Sequence, residues 1–200
     1  MTTDPIELVS QREAAQILSP LGVSRDKSRQ LLAHGLAGPP VRTRRAVLYD
    51  LVAVDRLAER VEANDATLDD AAPHGLVLLR RALTPGPAHV LRDQLAHGWD
   101  LTVLATIWLR LRIEQSQQAG LRGLPAMATV AGFPVVGAEV TGLTTVFETA
   151  TGSSQRLDLT PPGPWWIRLS QLRVPTGAGR PWVLRDPSHL RARGRVRDNG

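Results

Sequence analysis

The stretch that most constrains this chain runs from residue 10 to residue 50. Ser10 is followed three residues later by Glu13, the spacing of a capping box in which each side chain satisfies an exposed backbone N–H of the other residue, so a helix should start there. Ala14, Ala15, Ile17 and Leu18 give that helix a small apolar face. Ser19-Pro20-Leu21-Gly22 must end it, because proline has no N–H to donate and glycine accepts positive φ. Val23 reads as a buried staple, and Ser24 as a second N-cap. Residues 25–34 then form a second short helix with Ser28, Leu31 and Leu32 facing inward and Gly35 as its stop. Two short helices across a tight turn make a helix-turn-helix unit.

The following residues extend the pattern. Gly38-Pro39-Pro40 breaks the chain, residues 41–43 and 46–49 are expected as two short strands around a basic tip, and Asp50 caps a third helix over 51–61. Taken together, Gly22-Val23-Ser24, Arg29, Gly35-Leu36, Pro39, Tyr49 and Val54-Asp55-Arg56-Leu57 resemble the winged helix-turn-helix of the MerR and excisionase-like DNA-binding families. That resemblance covers about the first 60 residues, and it implies a winged domain over 1–62 that binds double-stranded DNA. The chain departs from those families in two places. Ser19-Pro20-Leu21 lengthens the turn, and no long heptad helix follows to build a MerR-type antiparallel coil.

Charge agrees with a DNA partner. Between residues 10 and 49 there are seven basic residues (Arg12, Arg25, Lys27, Arg29, Arg42, Arg44, Arg45) and two acidic ones (Glu13, Asp26), an excess that equals the +5 net charge of the whole chain. Neutralising phosphates needs such a patch, and the affinity it gives should fall steeply with salt. The 200 residues are 42% hydrophobic, ample for one large or two small cores. Absence of cysteine excludes disulfides, thiolate zinc sites and cysteine nucleophiles. The N-terminus has no basic and apolar leader, and no apolar run reaches the roughly 18 residues of a membrane span, so a cytoplasmic protein with no membrane partner is expected. One lysine among 24 basic residues, with the arginine, alanine, glycine and proline bias, suggests a GC-rich bacterial genome.

Residues 63–73 are acidic and small and end in Pro73, and they are expected to be a linker. Beyond it, 74–188 is expected to be an α+β domain for dimerisation or effector sensing, giving the whole chain an α+β fold. Residues 76–83 are too short to arbitrate between strand and helix. A helix is expected from about 87 to 97, with Thr84 as its cap, and a longer one over 101–118 capped by Asp100. In the longer helix Leu101, Leu104, Trp108 and Leu111, widened by Val103 and Ile107, predict a face that is buried or lies in a subunit interface. From residue 127 the period changes to two, with strands expected at 127–131, 135–141, 143–149, 155–159, 165–174 and 181–184 as an antiparallel meander. A shift of apolar parity within 165–174 calls for a bulge near Ser170-Gln171. Residues 189–200, with Arg191, Arg193, Arg195 and Arg197, read as a basic tail.

The candidate DNA-binding residues are Ser24, Arg25, Lys27, Arg29 and Gln30 on the second helix, and Arg42, Thr43, Arg44 and Arg45 on the wing. Arginine can pair with guanine O6 and N7, glutamine with adenine, and Ser24 at a helix N-terminus with a phosphate. Asp26 either complements the helix dipole or accepts from cytosine N4. The wing arginines suit phosphates or the minor groove, with Thr43 as a phosphate donor. Trp165, Trp166 and Trp182 read as core or as the lining of a small-molecule pocket. No histidine spacing suits a metal and no catalytic constellation is present, so neither a cofactor nor an enzyme is expected. The function expected is that of a bacterial transcriptional regulator acting as a homo-oligomer. The alternatives are an excisionase-like architectural factor and a protein-interaction or antitoxin module whose C-terminal domain takes a protein partner or small-molecule effector.

Overall fold

The computed structural model describes residues 7–149, 152–174, 176 and 181–187. It is an α+β structure whose chain divides into two compact units, Met1–Val61 and Glu62–Gly200. The basic tail expected at 189–200 lies outside the described residues.

In the first unit β1 (Leu8–Ser10) leads into α1 (Gln11–Leu18), a single 3₁₀ turn follows at Ser19–Leu21, and α2 is Arg25–Ala33. Strands β2 (Val41–Arg42) and β3 (Val47–Asp50) form a hairpin, and α3 is Leu51–Ala58, three residues shorter than expected. The three strands pair antiparallel in the order β1-β3-β2, with Val9 opposite Tyr49 and Val41 opposite Leu48. The capping box of α1 is complete: the Ser10 N–H donates to Glu13 Oε2 at 2.7 Å, and the Glu13 N–H to Ser10 Oγ at 3.3 Å. The two Ser10 hydrogen bonds, backbone first, hold the Glu13 carboxyl below the usual glutamate range. Gly22 carries a φ of +74° with no atom near where a Cβ would sit, so glycine is there for its backbone freedom alone. At the end of α2 the Leu36 N–H reaches the Leu31 carbonyl while Gly35 takes φ +76°, a Schellman ending. Ala14, Leu32, Ala37, Tyr49 and Val54 close the small core.

The second unit begins with α4 (Asp65–Ala71), β4 (Leu76–Leu79), α5 (Ala88–Ala96), β5 (Trp99–Thr102) and α6 (Val103–Gln118). Strands β6 (Leu124–Val130), β7 (Phe133–Thr149) and β8 (Gly152–Thr160) follow, then α7 (Trp165–Leu169) and β9 (Trp182–Arg185). The strands form one sheet in the order β5-β8-β7-β6-β4-β9. Every residue of β4 and β6 is buried, as strands covered on both faces must be. Alternation along β4 shows how the layers divide. Val77 and Leu79 join Leu91, Leu95, Leu109 and Ile113, whereas Leu76 and Leu78 join Leu68, Trp165 and Leu169. Helices α5 and α6 therefore cover one face of the sheet, and α4 and α7 the other.

Several expectations are corrected here. The sheet is mixed and is no simple antiparallel meander, because β4 runs parallel to β6 while β6, β7 and β8 pair antiparallel. The stretches 135–141 and 143–149 are one strand, β7, with irregular register at Val140/Gly142 and Thr145/Phe147. Residues 63–73 are no linker. Asn64 caps α4 through the Thr67 N–H at 2.8 Å, Leu68 and Ala71 are buried, and Asp65 and Asp69 each meet Arg185 of β9 at 2.7 Å. Burial alone would lower the Arg185 pKa, but hydrogen bonds and charge from Asp65 and Asp69 outweigh it and raise the pKa. Residues 165–174 are not a bulged strand: Trp165 and Leu169 are buried four apart on α7, while Ile167, which strand parity would bury, is 74% exposed. Trp166 lies on Gly137, where any Cβ would enter its ring. The long helix starts two residues later than expected, because β5 pairs with β8 and uses Asp100 and Leu101. Thr102 is the cap, accepting from the Ala105 N–H at 3.2 Å. Thr84 does not cap α5; its N–H and carbonyl bind the Gln94 side chain at 2.8 and 3.1 Å.

Candidate nucleic-acid interface

Helix α2 presents its candidates through its own cap. Ser24 Oγ accepts from the Lys27 N–H at 3.4 Å, and Ser28 Oγ donates to the Ser24 carbonyl at 3.1 Å, which is how a serine sits fully buried on the inner face beside Leu31 and Leu32. Burial of that face leaves Ser24, Arg25, Asp26, Lys27 and Arg29 exposed and Gln30 half-buried. Two links tie these groups to each other: Arg29 lies 3.4 Å from Asp26, and the Lys27 ammonium donates to Gln30 Oε1 at 3.2 Å. An ion pair this exposed is worth about 0–1 kcal/mol and yields readily to a phosphate or a base edge. Asp26 also sits in the first turn, where a carboxylate complements the helix dipole.

The hairpin tip is built by Thr43. Its backbone N–H and its hydroxyl both donate to the Ala46 carbonyl, at 2.9 and 3.1 Å, and its Oγ1 accepts from the Ala46 and Arg45 N–H groups at 2.9 and 3.3 Å. The hydroxyl expected to serve a phosphate is thus engaged in holding the turn. Arg42, Arg44 and Arg45 are exposed, and among the described residues none of them has a carboxylate partner. Among the described residues Arg112, Arg122, Arg156, Arg168 and Arg185 of the second unit each meet a carboxylate.

Two groups of polar residues escaped the sequence reading. Between α6 and the β7–β8 hairpin a groove of about 270 Å³ is lined by residues that include Arg110, Glu148 and Gln155; Gln155 is buried, and its amide donates to Thr145 Oγ1 at 3.0 Å and to Ser153 Oγ at 2.5 Å. The groove falls just below the usual range for ligand sites, and its amide is already satisfied. On the other face Glu139 is buried in β7 with Arg122 3.3 Å away at the solvent edge. Neither group had a local signal, since its members come together from elements far apart in the chain. Trp165 and Trp166 meet edge to face at 5.8 Å on one side of the sheet, while Trp182 packs with the core on the other, so the three share no pocket. Among the described residues no helix is long and apolar enough to cross a membrane. Compared with protein-family models, curated proteins and solved structures, the chain matches none.

Proposed function

We propose that the protein is a sequence-specific double-stranded DNA-binding protein, a cytoplasmic bacterial transcriptional regulator that acts as a homo-oligomer. In this reading residues 1–61 work as a winged helix-turn-helix of the kind the sequence resembles, with α2 in the major groove and the β2–β3 hairpin as the wing. The observation that carries it is the pairing of a serine-capped helix bearing Arg25, Lys27 and Arg29 with a hairpin tip bearing three arginines that have no carboxylate partner among the described residues. Arg25 and Arg29 would read guanine edges and Gln30 an adenine, while Arg42, Arg44 and Arg45 hold phosphates or the minor groove. An excisionase-like factor is less well supported, because the unit from 62 onward is a sheet with its own two-sided core.

Selecting bound duplexes from random-sequence DNA, once at low and once at near-physiological salt, tests the proposal. A recovered consensus that persists at the higher salt is expected. Indiscriminate binding that vanishes with salt would reduce the reading to phosphate contact alone.

A further inference from the structure

We propose that the outer face of α6 is a self-association surface that pairs with the same face of a second copy of this chain. The inner face of the helix, with Leu109 and Ile113, packs on the sheet. Opposite it, Val103, Leu104, Ile107, Trp108 and Leu111 stand 44 to 64% exposed and recur three and four residues apart. A helix resting on a sheet ordinarily turns polar residues outward; here the outward stripe is apolar over more than two turns. Of the neighbouring charges, Arg110 is exposed on the wall of the groove that Val103 and Ile107 also line, and Glu114 is exposed three residues after Leu111. Arg112 is turned under the helix to Asp186 at 2.6 Å and to Gln115 at 3.0 Å, and its guanidinium lies 5.8 Å from the Trp108 ring centre, which steadies the indole. A fixed, half-exposed tryptophan inside an aliphatic patch is the composition of an association hot spot.

The size of the patch fits one occupant. Val146 and Phe147 of β7 are 67 and 64% exposed, and Thr145 and Glu148 on either side of them line the same groove as Val103 and Ile107. Together these side chains, with Arg110 and Glu148 in the groove beside them, expose roughly 700 Å² of surface. A two-fold pair would bury about 1,400 Å², inside the range of about 1,200–2,000 Å² for stable interfaces. A self-complementary contact also needs no second surface, since each stripe meets its own copy. The one exposed arginine of the helix, Arg110, is fewer cations than a nucleic acid would require. This assignment deepens the DNA-binding reading and rests on it in one respect, in that two copies would place two short reading helices on successive half-sites.

Sedimentation of the full chain at micromolar concentration tests it. Wild type should sediment at twice the 21.7 kDa chain mass. The Leu104→Glu/Leu111→Glu variant should be monomeric, its dimer affinity reduced at least about 100-fold, with unchanged circular dichroism because both positions are exposed. If the glutamate pair does not fold, Leu104→Ala/Leu111→Ala, which keeps helix propensity, should weaken the dimer about tenfold. A monomeric wild type, a folded variant that stays dimeric, or wild-type monomer captured by phosphatidylcholine vesicles in a way the variant is not, would each overturn the proposal. Duplexes recovered from the selection separate the two readings. The monomeric variant should bind a single half-site like wild type and lose about 100-fold on a double site, whereas a dimer that binds neither duplex keeps the surface and removes the DNA.

Discussion

Helices α2 and α6 are built alike on the inside and differ on the outside. Each starts from a hydroxyl cap, Ser24 or Thr102, that accepts from the third N–H, at 3.4 and 3.2 Å. Each then buries a second hydroxyl four residues on, Ser28 or Thr106, whose proton goes to the cap residue's carbonyl at 3.1 Å in both. Leucines complete both inner faces: Leu31 and Leu32 in one, Leu109 with Ile113 in the other. Outward, α2 shows Arg25, Asp26, Lys27 and Arg29, and α6 shows Leu104, Ile107, Trp108 and Leu111. Caps and inner faces are dictated by the need to form and dock a helix. The outer faces are free of that need, so their chemistry points to what each helix meets: a polyanion for the first, an apolar surface for the second.

The comparison is broken most severely at the shared inner faces. Leu32→Ala and Leu109→Ala, both nearly fully buried, should each cost about 2–5 kcal/mol in chemical denaturation. A loss below about 1 kcal/mol at either position would mean that the helix is not docked as described. Next in size, Arg185→Ala should cost about 3 kcal/mol by leaving Asp65 and Asp69 without their guanidinium. Because the Arg185 pKa is raised above an already high value, its contribution is fully present at every pH below the alkaline limit, so the loss should be the same at pH 5 and pH 9. At the outer faces, Arg29→Ala should weaken DNA binding by about 1–3 kcal/mol and relax base preference, and Arg44→Ala should weaken all sequences evenly and lower the salt slope by about one. If Arg44→Ala changed neither affinity nor salt slope, the hairpin would not be a wing. Neither variant should alter sedimentation, and Leu104→Glu should not alter binding to a single half-site. The smallest effect is expected at Glu13→Gln. Glu13 has a folded pKa below its unfolded value, so its stabilisation is present above the ordinary glutamate range and lost as pH falls through the folded value. The variant should flatten only that acid limb of a Tm-against-pH curve.

Local signals made the first unit legible. Ser10 with Glu13, Ser24 with the Lys27 N–H, Asp50 with the Val52 N–H, and the positive-φ glycines Gly22 and Gly35 act within a few residues, and each does in the structure what its spacing implied. The second unit resisted for a different reason. Asp65 and Asp69 look like a solvated acidic run because Arg185 is 120 and 116 residues away. Trp165 and Leu169 fit a strand parity and a helix turn equally well, since four residues satisfy both periods, and only packing beside Gly137 chose the helix. In α6 apolar residues fall on two sides of the helix, so the pattern announced a helix without saying which side would face the sheet. Of the candidate site, residue identity and exposure on α2 could be read from the helix period, but the engagement of the Thr43 hydroxyl in the turn could not.

What the sequence determined by itself is the set of starts, stops and charges between residues 10 and 50, because caps, left-handed glycines and helix periodicity are interactions of near neighbours whose energies do not depend on the rest of the chain. Tertiary structure alone decided the parallel pairing of β4 with β6, the docking of α4 through Arg185, and the turning of Leu109 and Ile113 rather than Leu104 and Trp108 toward the sheet. Those outcomes depend on pairs of surfaces far apart in the chain, whose burial is settled only when the whole sheet closes.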